Sequence, residues 1–206
     1  MMDVGKLDFG IGHNQGPSLA AGSWSGYCWR RARQAAWGNP PIEVIRRRKR
    51  RADELGLTYR QYAGILMDRG RLTEALIFDL SEISGRERVS PFDRMAAKLR
   101  SLRNCKILAA TTETGGDLVT EINARTDGLI ADWAPYPAEM RPQHIDRRPE
   151  IARPSTEMLL KPILGMLARH MVTPSAAVMI GDGIRAECID RTAQLARVFP
   201  SAVYFR

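Results

Sequence analysis

The chain is short of residues that cross-link or ligate. It has three cysteines and three histidines in 206 residues. Cys28, Cys105 and Cys188 lie far apart, and His13, His144 and His170 do not join them at ligand spacing, so neither a disulfide framework nor a structural zinc site is indicated. Long apolar runs are missing as well. None approaches the roughly 18 residues that a membrane-spanning helix needs, and the first residues lack the basic and then apolar blocks of a secretory leader. The expectation is a cytoplasmic protein without membrane association. Neither the dinucleotide nor the Walker glycine pattern follows any predicted strand, which removes the commonest nucleotide-binding readings.

Acids are scarce in one part of the chain, and that scarcity places the net charge of +8. Residues 25–72 carry Arg30, Arg31, Arg33, Arg46, Arg47, Arg48, Lys49, Arg50, Arg51, Arg60, Arg69 and Arg71 against Glu43, Asp53, Glu54 and Asp68. The remainder is nearly balanced. Such asymmetry marks an anion-facing front module joined to a domain with other work.

Residues 1–23, rich in glycine with Asn14, Gln15, Pro17 and Ser18, read as a flexible arm. Residues 24–72 read as a basic, aromatic helical module. Trp29, Arg33 and Trp37 recur at i, i+4, i+8, so a helix sets two indoles and a guanidinium on one face. Those aromatics either anchor a small core or stack on bases beside Arg30 and Arg33. After Pro41 a helix over 42–55 carries Ile42, Ile45, Ala52 and Leu55 as its apolar positions and an unbroken cationic run from Arg46 to Arg51. Gly56 suits its left-handed C′ position, and Thr58 caps a second helix with Tyr59, Tyr62, Ile65 and Leu66 inward.

The spacing Ala52, Gly56, Leu57, Tyr62, Ile65 resembles a helix-turn-helix DNA-binding unit across residues 48–66, and is also similar to the helical pair of ribbon-helix-helix repressors. Tyr59 and Tyr62 depart from it, being bulky where a recognition helix shows short polar side chains. The expected nucleic-acid contacts are Trp29, Arg30, Arg33, Arg46, Arg47, Arg48, Lys49, Arg50, Arg51 and Arg60. A solvated basic face and docking onto an acidic protein partner are the competing readings.

From residue 73 the rhythm turns to alternating strands and helices: strands at 76–80, 106–110, 129–131, 176–180 and 202–205, helices at 90–103, 117–125, 155–170 and 186–197, and a loop rich in Pro and Arg over 133–153. This predicts an α/β fold with a mainly parallel three-layer sheet of Rossmann-like type over 73–206. Two apolar runs end in an acid, Leu76–Asp79 and Ala177–Asp182, which sets two carboxylates at the sheet edge where ligands bind in such folds.

Residues 75–206 resemble the haloacid dehalogenase-like (HAD) superfamily of phosphohydrolases. The matching positions are Asp79, Ser81 and Ile83 in the first motif, Thr111 or Thr112 at the end of the second strand, and Gly181–Asp182 with Glu187 in the fourth. Arg153–Pro154 and Lys161–Pro162 compete for the family's Lys, with Arg153 preferred. The resemblance implies Asp79 as nucleophile, Thr111 and Arg153 or Lys161 on the phosphate, and Mg²⁺ held by Asp79, Asp182 and Glu187. The family's second Asp is replaced by Ser81, which cannot act as general acid near neutral pH and so forgoes about 10²–10⁴-fold in rate. The expected protein is therefore a polyanion binder with a degenerate, non-hydrolytic HAD-like domain acting as scaffold or ligand sensor. A Mg²⁺-dependent phosphatase is the alternative.

Overall fold

A computed structural model describes residues 24, 27–28, 31–32, 38, 40–81, 90–112, 115–136 and 156–205. They fold as helices α1 (Ile42–Glu54) and α2 (Tyr59–Arg69), strand β1 (Ala75–Asp79), helix α3 (Ser90–Ser101), strand β2 (Lys106–Thr112), helix α4 (Gly116–Thr126), strand β3 (Ile130–Tyr136), helix α5 (Thr156–Arg169), strand β4 (Ala177–Ile180), helix α6 (Gly183–Arg191), strand β5 (Arg197–Phe199) and a single turn α7 (Ser201–Tyr204). The strands form one sheet in the order β3-β2-β1-β4-β5. Every pairing is parallel.

Period-two alternation divides the core into two layers. Leu76, Phe78, Ile107, Ala109, Val178 and Ile180 pack with Leu99 of α3, Val119 and Ile122 of α4, and residues of α1 and α2. Ala75, Ile77, Leu108, Ala110, Ala177 and Met179 face the other way, against Leu159, Ile163 and Met166 of α5 and Ile189 of α6. An α/β sheet covered on both faces follows. Pro162 lies inside α5 without ending it.

Compactness divides the chain after Arg47, into 1–47 and 48–206, whereas charge and pattern set the break at 72/73. The physical reason is burial. Leu55, Leu57, Tyr62 and Ile65 share the core of Phe78 and Leu99, and burying each such side chain stabilises by about 1.5–3 kcal/mol. The same packing takes in Ala52, Leu57, Tyr62 and Ile65, so four of the five positions that resemble a helix-turn-helix serve the sheet. Gly56, the turn between α1 and α2, has φ 64°.

The start of α2 has the expected Thr58 cap, to which Gln61 adds a reciprocal bond. Thr58 Oγ1 accepts from Gln61 N, and the Gln61 side chain accepts from Thr58 N. Thr58→Ala removes both a cap acceptor and its reciprocal geometry, about 1 kcal/mol. Thermal unfolding should fall by about 2–4 °C.

The C-terminal quarter departs from the expected pattern. The helix expected over 186–197 stops at Arg191, where Thr192 and then Ala193 (φ 52°) turn the chain. The last strand is Arg197–Phe199, and the segment 202–205, whose pattern predicts a strand, is largely the turn α7. Tyr204 is held there because its hydroxyl donates to Leu55 O at 2.9 Å and its ring meets Phe78 edge-on at 5.7 Å.

Candidate functional site

At the sheet's C-terminal edge, Asp79 ends the central strand and is 2% exposed. Its Oδ1 accepts from Ser81 N at 2.9 Å and from Ser81 Oγ at 2.5 Å. The same hydroxyl accepts from Arg185 Nη1 at 3.2 Å. Ser81 therefore uses its one proton on the carboxylate and a lone pair on the guanidinium, in keeping with its donor and acceptor inventory.

Arg185 rises from the first turn of α6 and is 7% exposed. Its guanidinium carbon lies 5.6 Å from the centre of the Tyr136 ring. Tyr136, at the end of β3, is fully buried. Burial pushes its phenol well above the usual range, the negative charge of Asp79 pushes the same way, and Arg185 opposes them. The phenol stays protonated at neutral pH. Sequence reasoning missed both residues. Arg185 was legible only as the third residue after Asp182, a place with no meaning until the helix is known to begin at Gly183.

Alternation sorts the two threonines. Thr111 follows Ile107 and Ala109, and its hydroxyl lies against the start of α4, where a Cβ on Gly115 would come within 1.9 Å of it. Thr112, paired with Tyr136, follows Leu108 and Ala110 toward the α5 and α6 side. Ala75 and Ile77 set the same parity for Asp79. Of the two candidates Thr112, not the preferred Thr111, thus shares the face of Asp79.

The expected Mg²⁺ ligands are not assembled. Asp182 Oδ1 accepts from Ser201 N at 3.1 Å, toward α7. Glu187 is exposed on α6. Among the described residues no three His, Cys, Asp or Glu side chains gather as a ligand set. With a buried guanidinium one hydroxyl away from Asp79, the residues present do not fit the metal that the resemblance implies. Lys161 is exposed on α5 and lines a groove with Glu157, Leu164 and Gln194, a lining that includes none of Asp79, Ser81, Tyr136 or Arg185. Arg153 lies outside the described residues.

The basic run of α1 separates into two roles. Arg46, Arg47, Lys49 and Arg50 are exposed, as is Arg60 on α2, while Arg48 is half-buried. Arg51, expected to face phosphate, instead pairs with Glu54 at 2.7 Å and donates to Thr73 O at 2.8 Å and Asn104 O at 3.0 Å. It ties α1 to the entries of β1 and β2. Its hydrogen bond holds the Glu54 carboxyl below the usual carboxylate range. Trp29, Arg30 and Arg33 lie outside the described residues; nearby, Arg31 Nη1 donates to Tyr27 Oη at 3.1 Å.

Comparison with known proteins finds no matching family model, no matching curated protein and no matching solved structure. No helix among the described residues is long and apolar enough to cross a membrane.

Proposed function

We propose that the protein binds a polyanion, with nucleic acid as the ligand, through the cationic face of α1, and that its sheet is a degenerate HAD-like domain acting as scaffold or ligand sensor without phosphoryl transfer. The observation that carries the reading is the exposure of Arg46, Arg47, Lys49 and Arg50 within one unbroken run. Arg46 and Arg50 stand at i, i+4, away from Ala52 and Leu55, so guanidinium groups follow one another along a helix surface at a spacing a phosphate backbone can meet. The HAD-like reading of the sheet draws support from the order β3-β2-β1-β4-β5 with an acid at the tip of the central strand. Ser81 in place of a second acid, and Arg185 beside it, support the absence of turnover.

The test is a salt titration of binding to labelled duplex and single-stranded oligonucleotides. Four neutralised phosphates give a slope of log K against log salt of about −3.6 on a duplex and about −2.8 on a single strand. Duplex affinity should fall about 150-fold from 50 to 200 mM salt. A flat response, or no binding at 50 mM, sinks the reading. Capture of an acidic protein from nuclease-treated extract with no oligonucleotide binding would favour the docking alternative.

A further inference from the structure

We propose that Arg185 is the resident cation of the sheet-edge site, so that a guanidinium supplied by the protein, and not a divalent metal, balances the Asp79 carboxylate through the Ser81 hydroxyl. The inference stands apart from polyanion binding by α1 and has separate readouts.

Three observations converge on it. The Asp79 side chain is 2% exposed and Arg185 7%, and a buried ionised group needs an opposite charge or a metal close by. Ser81 links the two, donating to Asp79 at 2.5 Å and accepting from Arg185 at 3.2 Å. Of the other acids, Asp182 gives one oxygen to Ser201 N and Glu187 faces solvent, and among the described residues no three such side chains gather as a ligand set. Tyr136 completes the enclosure, lying under the guanidinium and within the field of Asp79. An arginine that cannot lose its proton makes this balance independent of metal supply.

Arg185 is thus a positioning residue for Asp79, and three variants test that role. Arg185→Gln should lower the melting temperature by roughly 6–20 °C, as expected when one partner of a buried pair is removed. Arg185→Lys, which keeps the charge, should recover at least half of that loss. Asp79→Asn combined with Arg185→Gln should lose clearly less than the two single losses added, because no uncompensated charge is left. Strict additivity, or a Lys variant as unstable as the Gln variant, overturns the proposal. If Arg185→Gln yields no folded protein, the double variant decides: it should fold, and its failure to do so counts against the coupling. A second measurement addresses the metal directly. Mn²⁺ titrated into the wild-type chain and followed by electron paramagnetic resonance should show no binding that Asp79→Asn abolishes. One equivalent bound through Asp79 would assign the site to a metal and end the argument.

Discussion

Changing Arg46, Arg47, Lys49 and Arg50 together to glutamine is expected to weaken duplex binding by about three orders of magnitude at 0.15 M salt while leaving the melting temperature within about 2 °C of the wild type. The first number follows from counterion release: four contacts at about 0.9 ion each, referred to 1 M salt, amount to roughly a thousandfold in affinity. The second follows from exposure, since surface substitutions away from packed or paired groups usually stay within about 0.5 kcal/mol. Arg51→Met should do the reverse. It loses charged hydrogen bonds to Glu54, Thr73 O and Asn104 O, each worth about 1.5–3 kcal/mol before solvent screening. The side chain is 19% exposed, so the net cost is set at about 2–4 kcal/mol, or roughly 5–15 °C. Filter binding and thermal denaturation on the two variants separate the roles. Equal binding loss in Arg51→Met would mean that the run acts as one patch and that the division of labour is wrong.

That division shows where sequence reading stops. Six consecutive cations look alike in a string, and the partners that distinguish Arg51 are carbonyl oxygens of Thr73 and Asn104, which have no side-chain signature. Local signals were readable: the strand that ends in Asp79, the Gly181–Asp182 turn, and the Thr58 cap each depend on residues within a few positions of one another. β5 was missed because three residues at a sheet edge carry too short a pattern, while Val203, Tyr204 and Phe205 have strand-forming side chains yet lie in and just after a turn in which Tyr204 alone is buried, anchored on Leu55 O. The same limit applies at the site. The acids were visible as types at the right offsets, but that an Asp182 oxygen is taken up by Ser201 N depends on the path of a loop that composition does not encode.

A close approach at the tip of β4 provides the second large effect. Gly181 follows β4 directly beside Asp79, and a Cβ built on it would sit 2.6 Å from the Asp79 Cβ and 3.4 Å from Oδ2. Its amide also donates to Phe199 O at 3.0 Å, so the backbone is held on both sides and cannot step back. Gly181→Ala therefore either pushes β4 from β1 or turns the Asp79 carboxylate away from Ser81, an overpacking cost of about 1–3 kcal/mol, and Gly181→Val costs more. The expected fall in melting temperature for the alanine variant is about 2–12 °C. The clash is between two Cβ atoms, which specifies the rescue. Adding Asp79→Gly to Gly181→Ala should restore part of the loss, once the cost of Asp79→Gly alone is subtracted, whereas Asp79→Ala keeps the offending atom and should restore none of it. Rescue by both changes would place the conflict at the carboxylate, in which case crowding of charge, and not of backbone, makes glycine necessary at the tip of β4.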